Sequence, residues 1–144
     1  MARFINKMDA KGRIFIPAKL RDQIGSPMFV TLNQDKGYLS IYSNDRFQEI
    51  VEQFSKIPMT NPKIRHARRQ IIGEALECDM DGQGRISVSS ELWNRIGAAP
   101  SDEICIYQIE KDVLEICTKK YYDAVSETAE QESIDLDGYE ITGL

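Results

Sequence analysis

The chain has 144 residues, of which 42% are hydrophobic and 28% are charged, and its formal net charge is −5. These values are typical of a globular protein with a modest core, organised as one domain or two very small ones. No apolar run approaches the roughly 20 residues that span a bilayer, and the first residues lack the apolar segment of a secretory signal. We therefore expect a cytoplasmic protein without a membrane segment.

Three cysteines and one histidine restrict the possible chemistry. Cys78, Cys105 and Cys117 form no C-x-x-C pair, and His66 alone cannot complete a zinc site at ordinary spacings. The sequence has no G-x-x-x-x-G-K-[ST] loop, and no spacing singles out an acid–base pair of carboxylates. We expect reduced thiols in or beside strands, an exposed His66, no metal, no cofactor and no catalysis.

The net charge conceals two basic segments. Residues 126–144 contain six acids and no base, and without them 18 bases face 17 acids. Residues 1–25 carry six bases against two acids, and "KIRHARR" at 63–69 adds four more bases. A basic surface is the electrostatic feature expected of a nucleic-acid-binding protein.

The first elements surround "DAKGR" at residues 9–13. "FINKM" before it and "RIFIP" after it read as strands, and Asp9 and Gly12 suit the turn between them. Pro17 fits the first position of a short helix that ends at Gly25. "MFVTL" and "YLSIY" then predict a β-hairpin.

Two helices are predicted next. In "SNDRFQEIVEQFSKI" an apolar stripe runs from Phe47 to Ile57. "TNPKIRHARRQIIGEALE" opens with Asn61 as the N-cap and Pro62 at the first position. Its apolar residues predict one buried face: Ile64, Ala67, Ile71 and Ala75.

The second half repeats the first. Residues 81–97, "DGQGRISVSSELWNRIG", match residues 9–25 at seven of seventeen positions, and "ICIYQ" with "VLEIC" predicts a second hairpin. Ser89 or Ser90 fits the N-cap of the second short helix. "TKKYYDAVSETAEQ" is a weaker helix with Tyr122 and Val125 on its stripe, and we expect disorder after about residue 126.

One unit of this size buries little core, so the two copies should pack as a pseudo-twofold pair with interleaved strands. The sequence thus predicts an α+β fold that is mainly β. We divide it into a first repeat (3–47), a helical connector (48–76), a second repeat (77–120), and a helix end with an acidic tail (121–144).

The chain resembles the bacterial MraZ family, whose members carry two AbrB-like motifs. The resemblance lies in "DAKGRIFIPAKLR", the linker "IPMTNPKIRHARRQIIGEALECDMDGQGR" and "GRISVSSELWNRIG", and it extends to about residue 122. The second copy has Ser89 where the family usually shows Pro, and Trp93 where it usually shows Arg. Ala2 stands where a Gly is common.

The resemblance implies an AbrB-like swapped-hairpin β-barrel and a ring-shaped homo-oligomer. It also implies a sequence-specific DNA-binding transcriptional regulator, associated with the nucleoid, that acts on the promoter of its own division and cell-wall gene cluster. The DNA contacts of the family map onto Lys11, Arg13 and Arg85.

The residues themselves leave two interpretations of the Asp-x-x-Gly-Arg turns open. A turn on a rigid β-ribbon fits the major groove, where Arg can bond guanine O6 and N7 and Lys can attract phosphate. Alternatively, Asp9–Arg13 and Asp81–Arg85 are purely structural pairs. The cations that surround Arg13 in sequence favour DNA for the first turn: Arg3, Lys7, Lys11, Lys19 and Arg21.

The second turn has a different setting, because Gln83 and Glu91 replace Lys11 and Lys19 and further acids lie close in sequence. We therefore predict one DNA-reading copy and one supporting copy. Lys63, Arg65 and Arg69 have three possible roles: contacting phosphates, pairing with a neighbouring subunit, or being solvated. The alternative function is an AbrB-like protein-interaction module, an antitoxin or adaptor, with weak or no DNA binding.

Overall fold

The computed structural model describes residues 1–129 and 132–144. The strands are β1 (Arg3–Lys7), β2 (Arg13–Phe15), β3 (Met28–Leu32), β4 (Leu39–Ser43), β5 (Leu76–Cys78), β6 (Arg85–Ser87), β7 (Glu103–Glu110) and β8 (Val113–Thr118). The α-helices are α1 (Ala18–Ile24), α2 (Asn44–Ser55), α3 (Pro62–Arg68), α4 (Ser90–Arg95) and α5 (Lys119–Ala129), and a π-helical turn (Arg69–Gly73) follows α3.

The strands form two antiparallel sheets, and each sheet contains strands of both repeats. The larger sheet has the order β1-β7-β8-β4-β3-β5, and the smaller one is the ribbon β2-β6. The first strand of each repeat pairs with the hairpin of the other repeat, β1 with β7 and β5 with β3. The fold is therefore α+β with interleaved strands, as expected.

The predicted closed barrel is not found. Within the described residues β1 and β5 are edge strands of the larger sheet. β2 and β6, which follow the two turns, pair with each other and lie outside that sheet. The larger sheet consequently has no strand that joins its edges, and closure of a barrel requires such pairing.

One continuous core lies between the larger sheet, the ribbon and the short helices α1 and α4. Ile14 and Ile86, at the centre of the ribbon, are each 1% exposed. The core-facing residues of β7 and β8 alternate with residues of the opposite sheet face, as the two-residue period of a strand requires. The opposite face includes Cys105 and Cys117, which pair across β7 and β8. All three cysteines are free and buried.

The helix caps agree with those predicted from the sequence, except at Pro17. The side chains of Asn61 and Ser89 accept hydrogen bonds from Lys63 N and Leu92 N at the starts of α3 and α4. Pro17 has an extended ψ of 134° and precedes α1, whose first residue is Ala18. The prediction that Pro17 is the first helical residue is therefore wrong by one position.

The connector departs from one regular helix. The backbone changes from α3 to the π-helical turn at Arg69, and Ala75 lies beyond the helical residues. The hydroxyl of Thr31 on β3 donates to the carbonyl of Ile71, which fixes this turn against the sheet. The predicted four-residue face is therefore interrupted, because a π-turn changes the angular position of each later side chain. Its residues are only half-buried, so the prediction of a buried face is wrong.

The two longer helices pack on the sheet through aromatic residues. Phe47 of α2 stacks on Phe29, with ring centroids 4.2 Å apart, and Tyr122 of α5 lies 6.2 Å from Tyr107. Val125, predicted on the apolar stripe of α5, is 39% exposed. The domain boundary at 47/48 falls inside α2.

The end of the chain is partly helical. α5 continues to Ala129, into the segment after about residue 126 where we expect disorder, and the last two residues of the predicted helix, 130 and 131, lie outside the described residues. Residues 132–144 are exposed and contain neither helix nor strand. No helix in the described ranges has the length and apolarity needed to cross a bilayer.

Candidate nucleic-acid interface

The ribbon of β2 and β6 places the two Asp-x-x-Gly-Arg motifs side by side. Arg13 pairs with Ser87, Ile14 with Ile86, and Phe15 with Arg85. Because alternate residues of a strand share a face, Ile14 and Ile86 point into the core, and the other four residues form the outer face. Diagonal neighbours on such a face lie about 7–8 Å apart, so Arg13 and Arg85 are close together.

Asp9 organises the first turn. Its Oδ1 accepts hydrogen bonds from the backbone N–H groups of Lys11 and Arg13 at 2.9 and 2.8 Å. Its Oδ2 lies 2.6 Å from Nε of Arg13, which closes a salt bridge. Gly12 has a φ of +76°, a conformation in which glycine avoids the steric cost of a side chain.

Asp81 makes the same bonds in the second turn. Its Oδ1 accepts from the backbone N–H groups of Gln83 and Arg85 at 2.9 and 3.0 Å, and its Oδ2 lies 2.8 Å from Nε of Arg85. Gly84 has a φ of +82°. The repeated phrase therefore encodes the same turn twice, and the predicted Asp–Arg pairs are present in both copies.

The hydrogen bonds keep both aspartates ionised. The backbone N–H of Arg13 and then its guanidinium lower the pKa of Asp9. The backbone N–H of Arg85 is likewise the largest influence on Asp81 and lowers the pKa of this carboxyl from 3.8 to about 2. A charged carboxylate in each turn therefore holds its arginine at neutral pH.

The salt bridges leave the ends of the arginines available. Each uses Nε, and no other described residue bonds the terminal Nη atoms of Arg13 or Arg85. In the described part of the chain no side-chain nitrogen or oxygen is buried without a partner, so these Nη atoms reach solvent. Each arginine thus forms a structural salt bridge through Nε and still presents its Nη atoms to solvent.

Backbone hydrogen bonds connect the turn of each repeat to the other repeat. Ile16 N donates to the carbonyl of Gly84 at 2.9 Å, and Val88 N donates to the carbonyl of Gly12 at 3.2 Å. These two bonds are equivalent under the repeat offset of 72 residues. The turns are consequently fixed to the ribbon by backbone bonds from the opposite repeat.

Position 21 of the first repeat and position 93 of the second cover the turn glycines. The guanidinium of Arg21 occupies the space where a side chain on Gly84 would lie, and its Nε donates to the carbonyl of Ile16 at 2.8 Å. Trp93 covers Gly12, and its Nε1 donates to the carbonyl of Gly12 at 2.9 Å. Each turn is therefore completed by a side chain from the other repeat.

The remaining predicted site residues lie at different distances from the turns. Lys11 is exposed within the first turn, and Lys7 is exposed at the end of β1 that precedes it. Arg3 lies at the other end of β1, with its guanidinium 4.5 Å from the ring centroid of Tyr122 on α5. Lys7 therefore lies at the end of β1 next to the turn that carries Lys11 and Arg13, whereas Arg3 contacts α5.

Arg85 has a more enclosed setting than Arg13. Its guanidinium lies 5.7 Å from the ring centroid of Phe15, its cross-strand partner. The side chains of Arg85 and Arg13 are 19% and 27% exposed. An aromatic ring beneath a guanidinium favours the cation and restricts its orientation.

The basic helix α3 is exposed along its charged side, including His66. Arg65 donates from Nη1 to the carbonyls of Met59 and Thr60 at 2.9 and 3.1 Å. Arg65 therefore has a structural role at the start of α3. Lys63 and Arg69 are exposed, and their role stays a prediction.

Sequence reasoning missed the exchange of side chains between repeats. Arg21 belongs to the first repeat in sequence but lies on the turn of the second, where Gln83 replaces the lysine of the first turn. The repeat alignment contained the signal, because positions 21 and 93 are equivalent. Interleaved strands were expected, but the residue that packs on each turn glycine is visible only in the structure.

The repeated turns and their exchanged contacts define a protein of two interlocked, homologous units, and comparison with known proteins identifies those units. The family model described as "MraZ protein, putative antitoxin-like" matches residues 3–70 and again residues 71–138. Together the two matches cover nearly the whole chain.

The relatives are similar over most of their length. "Transcriptional regulator MraZ" of Lactobacillus helveticus is 32% identical over 136 residues, covering 94% of this chain and 92% of the relative. The protein of the same name from Lactobacillus delbrueckii subsp. bulgaricus is 32% identical over 145 residues, covering 98% and 99%. That from Caldanaerobacter subterraneus subsp. tengcongensis is 33% identical over 114 residues, covering 79% and 71%. The chain belongs to the MraZ family.

Proposed function

We propose that the protein is a sequence-specific DNA-binding transcriptional regulator whose β2–β6 ribbon enters the major groove. The observation that carries this proposal is the pair of arginines on one outer face, each fixed through Nε with its Nη atoms in solvent. The relatives named as transcriptional regulators support the regulatory role.

The geometry of the ribbon suits base reading. A two-stranded ribbon fits the major groove, and an arginine can bond guanine O6 and N7 in a bidentate manner. The separation of Arg13 and Arg85, about 7–8 Å, is close to two base steps of about 3.4 Å each. Two arginines held in this way can contact bases in the same major groove.

Both turns supply cations to this interface. The first presents Lys11 and Arg13, and the second presents Arg85 together with Arg21 from the other repeat. We therefore revise the division into a reading and a supporting copy and assign a DNA contact to each. Lys7 attracts phosphate beside the first turn. Arg3 makes only a peripheral contribution to DNA binding, because it packs on Tyr122.

The test measures binding to duplex DNA from upstream of the protein's own gene and to a scrambled duplex, at several salt concentrations. Arg13→Gln and Arg85→Gln should each weaken binding to the promoter duplex by about 5- to 150-fold and reduce its preference over the scrambled duplex. Lys11→Gln should weaken binding to both duplexes and lower the salt slope by about 1.

Lys111→Gln is the matched control. Lys111 is exposed at the tip of the β7–β8 hairpin, and the opposite end of β7 pairs with Lys7 beside the first turn. That end lies about 24 Å away along the strand. The control removes the same charge and should leave binding nearly unchanged. If all four variants bind like the wild type, the ribbon is not the interface.

The promoter of its own division and cell-wall gene cluster is the proposed target, in the cytoplasm at the nucleoid. The proposed assembly is a ring-shaped homo-oligomer, in which several identical ribbons gain affinity on repeated DNA elements through effective concentration. Light scattering of the purified protein measures the subunit number, and a monomer at micromolar concentration would contradict the ring.

A second candidate is a protein-interaction module, which the words "antitoxin-like" in the family description favour. Such a module needs no duplex DNA and should show little salt-dependent binding to it. The same titration separates the candidates, because steep salt dependence with promoter preference supports the regulator. Absence of binding at low salt supports the module.

A further inference from the structure

The second repeat contains the only tryptophan of the chain, and its contacts cross to the first repeat. Trp93 is 2% exposed, and its indole lies 3.3 Å from the position that a side-chain Cβ on Gly12 would take. Its Nε1 donates to the carbonyl of Gly12 at 2.9 Å. Gly12 stands between Lys11 and Arg13, the two cations of the first turn.

The carbonyl of Gly12 has two donors from the second repeat. Val88 N donates to it from the backbone, and Trp93 Nε1 donates from a buried side chain. The carbonyl of Gly84 accepts the equivalent backbone bond from Ile16, but Arg21 directs its Nε to the carbonyl of Ile16. Among the described residues, only the first of the two turns therefore has a side-chain bond to its glycine.

We infer that Trp93 is a positioning residue for the DNA-contacting turn of the first repeat, an inference that rests on the function proposed above. It fixes the plane of the Gly12 peptide and so the direction in which Lys11 and Arg13 leave the turn. The equivalent residue Arg21 serves the second turn differently, because it adds a positive charge. The covering side chain consequently adds a hydrogen bond to the first turn and a positive charge to the second.

The roles predict different changes in DNA binding. Trp93→Phe removes the N–H donor without changing any charge, so the salt slope and the affinity for a scrambled duplex should not change. Affinity for the promoter duplex should fall by about 2- to 12-fold, the effect of one neutral hydrogen bond. Arg21→Met removes a charge and should weaken binding to both duplexes.

A sharper variant replaces Trp93 with β-(3-benzothienyl)alanine, which keeps the shape of the indole and lacks its N–H. The same loss of promoter preference in this variant assigns the effect to the hydrogen bond. Ile116→Val, in the sheet core, serves as a control for stability. It is expected to lower stability and to leave the ratio of the two affinities unchanged.

Amide hydrogen exchange supplies a measurement that needs no DNA. In Trp93→Phe the amides of Gly12 and Arg13 should exchange faster, whereas those of Gly84 and Arg85 should keep their wild-type rates. Equal acceleration in both turns, or none in the first, would overturn the assignment. So would an unchanged promoter preference in both Trp93 variants.

The two proposals fail in distinguishable ways. If the wild type shows no preference for the promoter duplex, the proposed function fails, and the exchange rates alone decide whether Trp93 holds the turn. If Arg13→Gln abolishes the preference while the Trp93 variants retain it, the proposed function stands and the positioning role is refuted.

Discussion

Replacing Gly12 with alanine tests how tightly the two repeats close on the first turn. Gly12 has a φ of +76°, which costs a residue with a Cβ about 1–2 kcal/mol. The added Cβ would lie 3.1 Å from the carbonyl oxygen of Val88 and 3.3 Å from Nε1 of Trp93. Val88 and Trp93 also bond the Gly12 carbonyl, through the backbone N–H of Val88 and Nε1 of Trp93, so moving either residue stretches its bond.

The crowding adds to the backbone strain. Extra atoms in a packed site typically cost about 1–3 kcal/mol. We therefore expect Gly12→Ala to lower the free energy of unfolding by about 2–5 kcal/mol. Urea denaturation followed by circular dichroism measures this quantity, provided that the slope of the transition stays at its wild-type value.

Two other glycines separate the contributions. Gly97 has a φ of +69° with nothing within 4 Å of a built Cβ, so Gly97→Ala should show the backbone strain alone, about 1–2 kcal/mol. Gly82 has neither a positive φ nor a close neighbour, and Gly82→Ala should be neutral or stabilising by up to about 1 kcal/mol. If Gly12→Ala costs no more than Gly97→Ala, the close contact of Val88 and Trp93 with Gly12 is refuted.

Three further results follow from the structure. Asp81 has a lowered pKa, so its carboxylate stabilises the fold above pH 4, and this stabilisation is lost as the pH falls from 3.8 towards about 2. The melting temperature should therefore drop in that range, and it should drop by less in Asp81→Asn. A wild-type drop no larger than that of the variant would contradict this. Burial raises the pKa of Cys78 to about 11 and of Cys117 to about 12, and also raises that of Cys105. A thiol reagent at pH 8 should therefore label all three only after denaturation, and rapid labelling of the native protein would refute this burial. Thr31→Val keeps the side-chain shape but leaves a carbonyl of the π-helical turn without its donor. It should cost about 1–3 kcal/mol in urea denaturation and leave DNA binding unchanged, and a neutral result would refute the role of this bond.

Local sequence predicted most elements correctly because their signals act over short distances. The Asp-x-x-Gly-Arg phrase determines a turn through bonds between residues four apart, so both turns and both Asp–Arg pairs were predictable. Asn61 and Ser89 specify helix starts in the same local way. The errors lie where tertiary packing overrides local preference, as at the π-helical turn that Thr31 holds.

The candidate site was predictable in its cations but not in its arrangement. Lys11 and Arg13 are adjacent to the first turn in sequence, and the repeat identified Arg85 as the equivalent of Arg13. The acids near the second turn argued against a DNA contact there. The structure weakens that argument, because Arg21 comes from the other repeat to lie on Gly84.

The turn, the strand that follows it and the presence of two copies can be read from local sequence, because they depend on hydrogen bonds within five residues and on a fixed 72-residue offset. The residues that complete each turn depend on long-range packing. Exchange of strands between the repeats places Arg21 on one glycine and Trp93 on the other. Such contacts join residues more than sixty positions apart, and only packing of the whole chain specifies them.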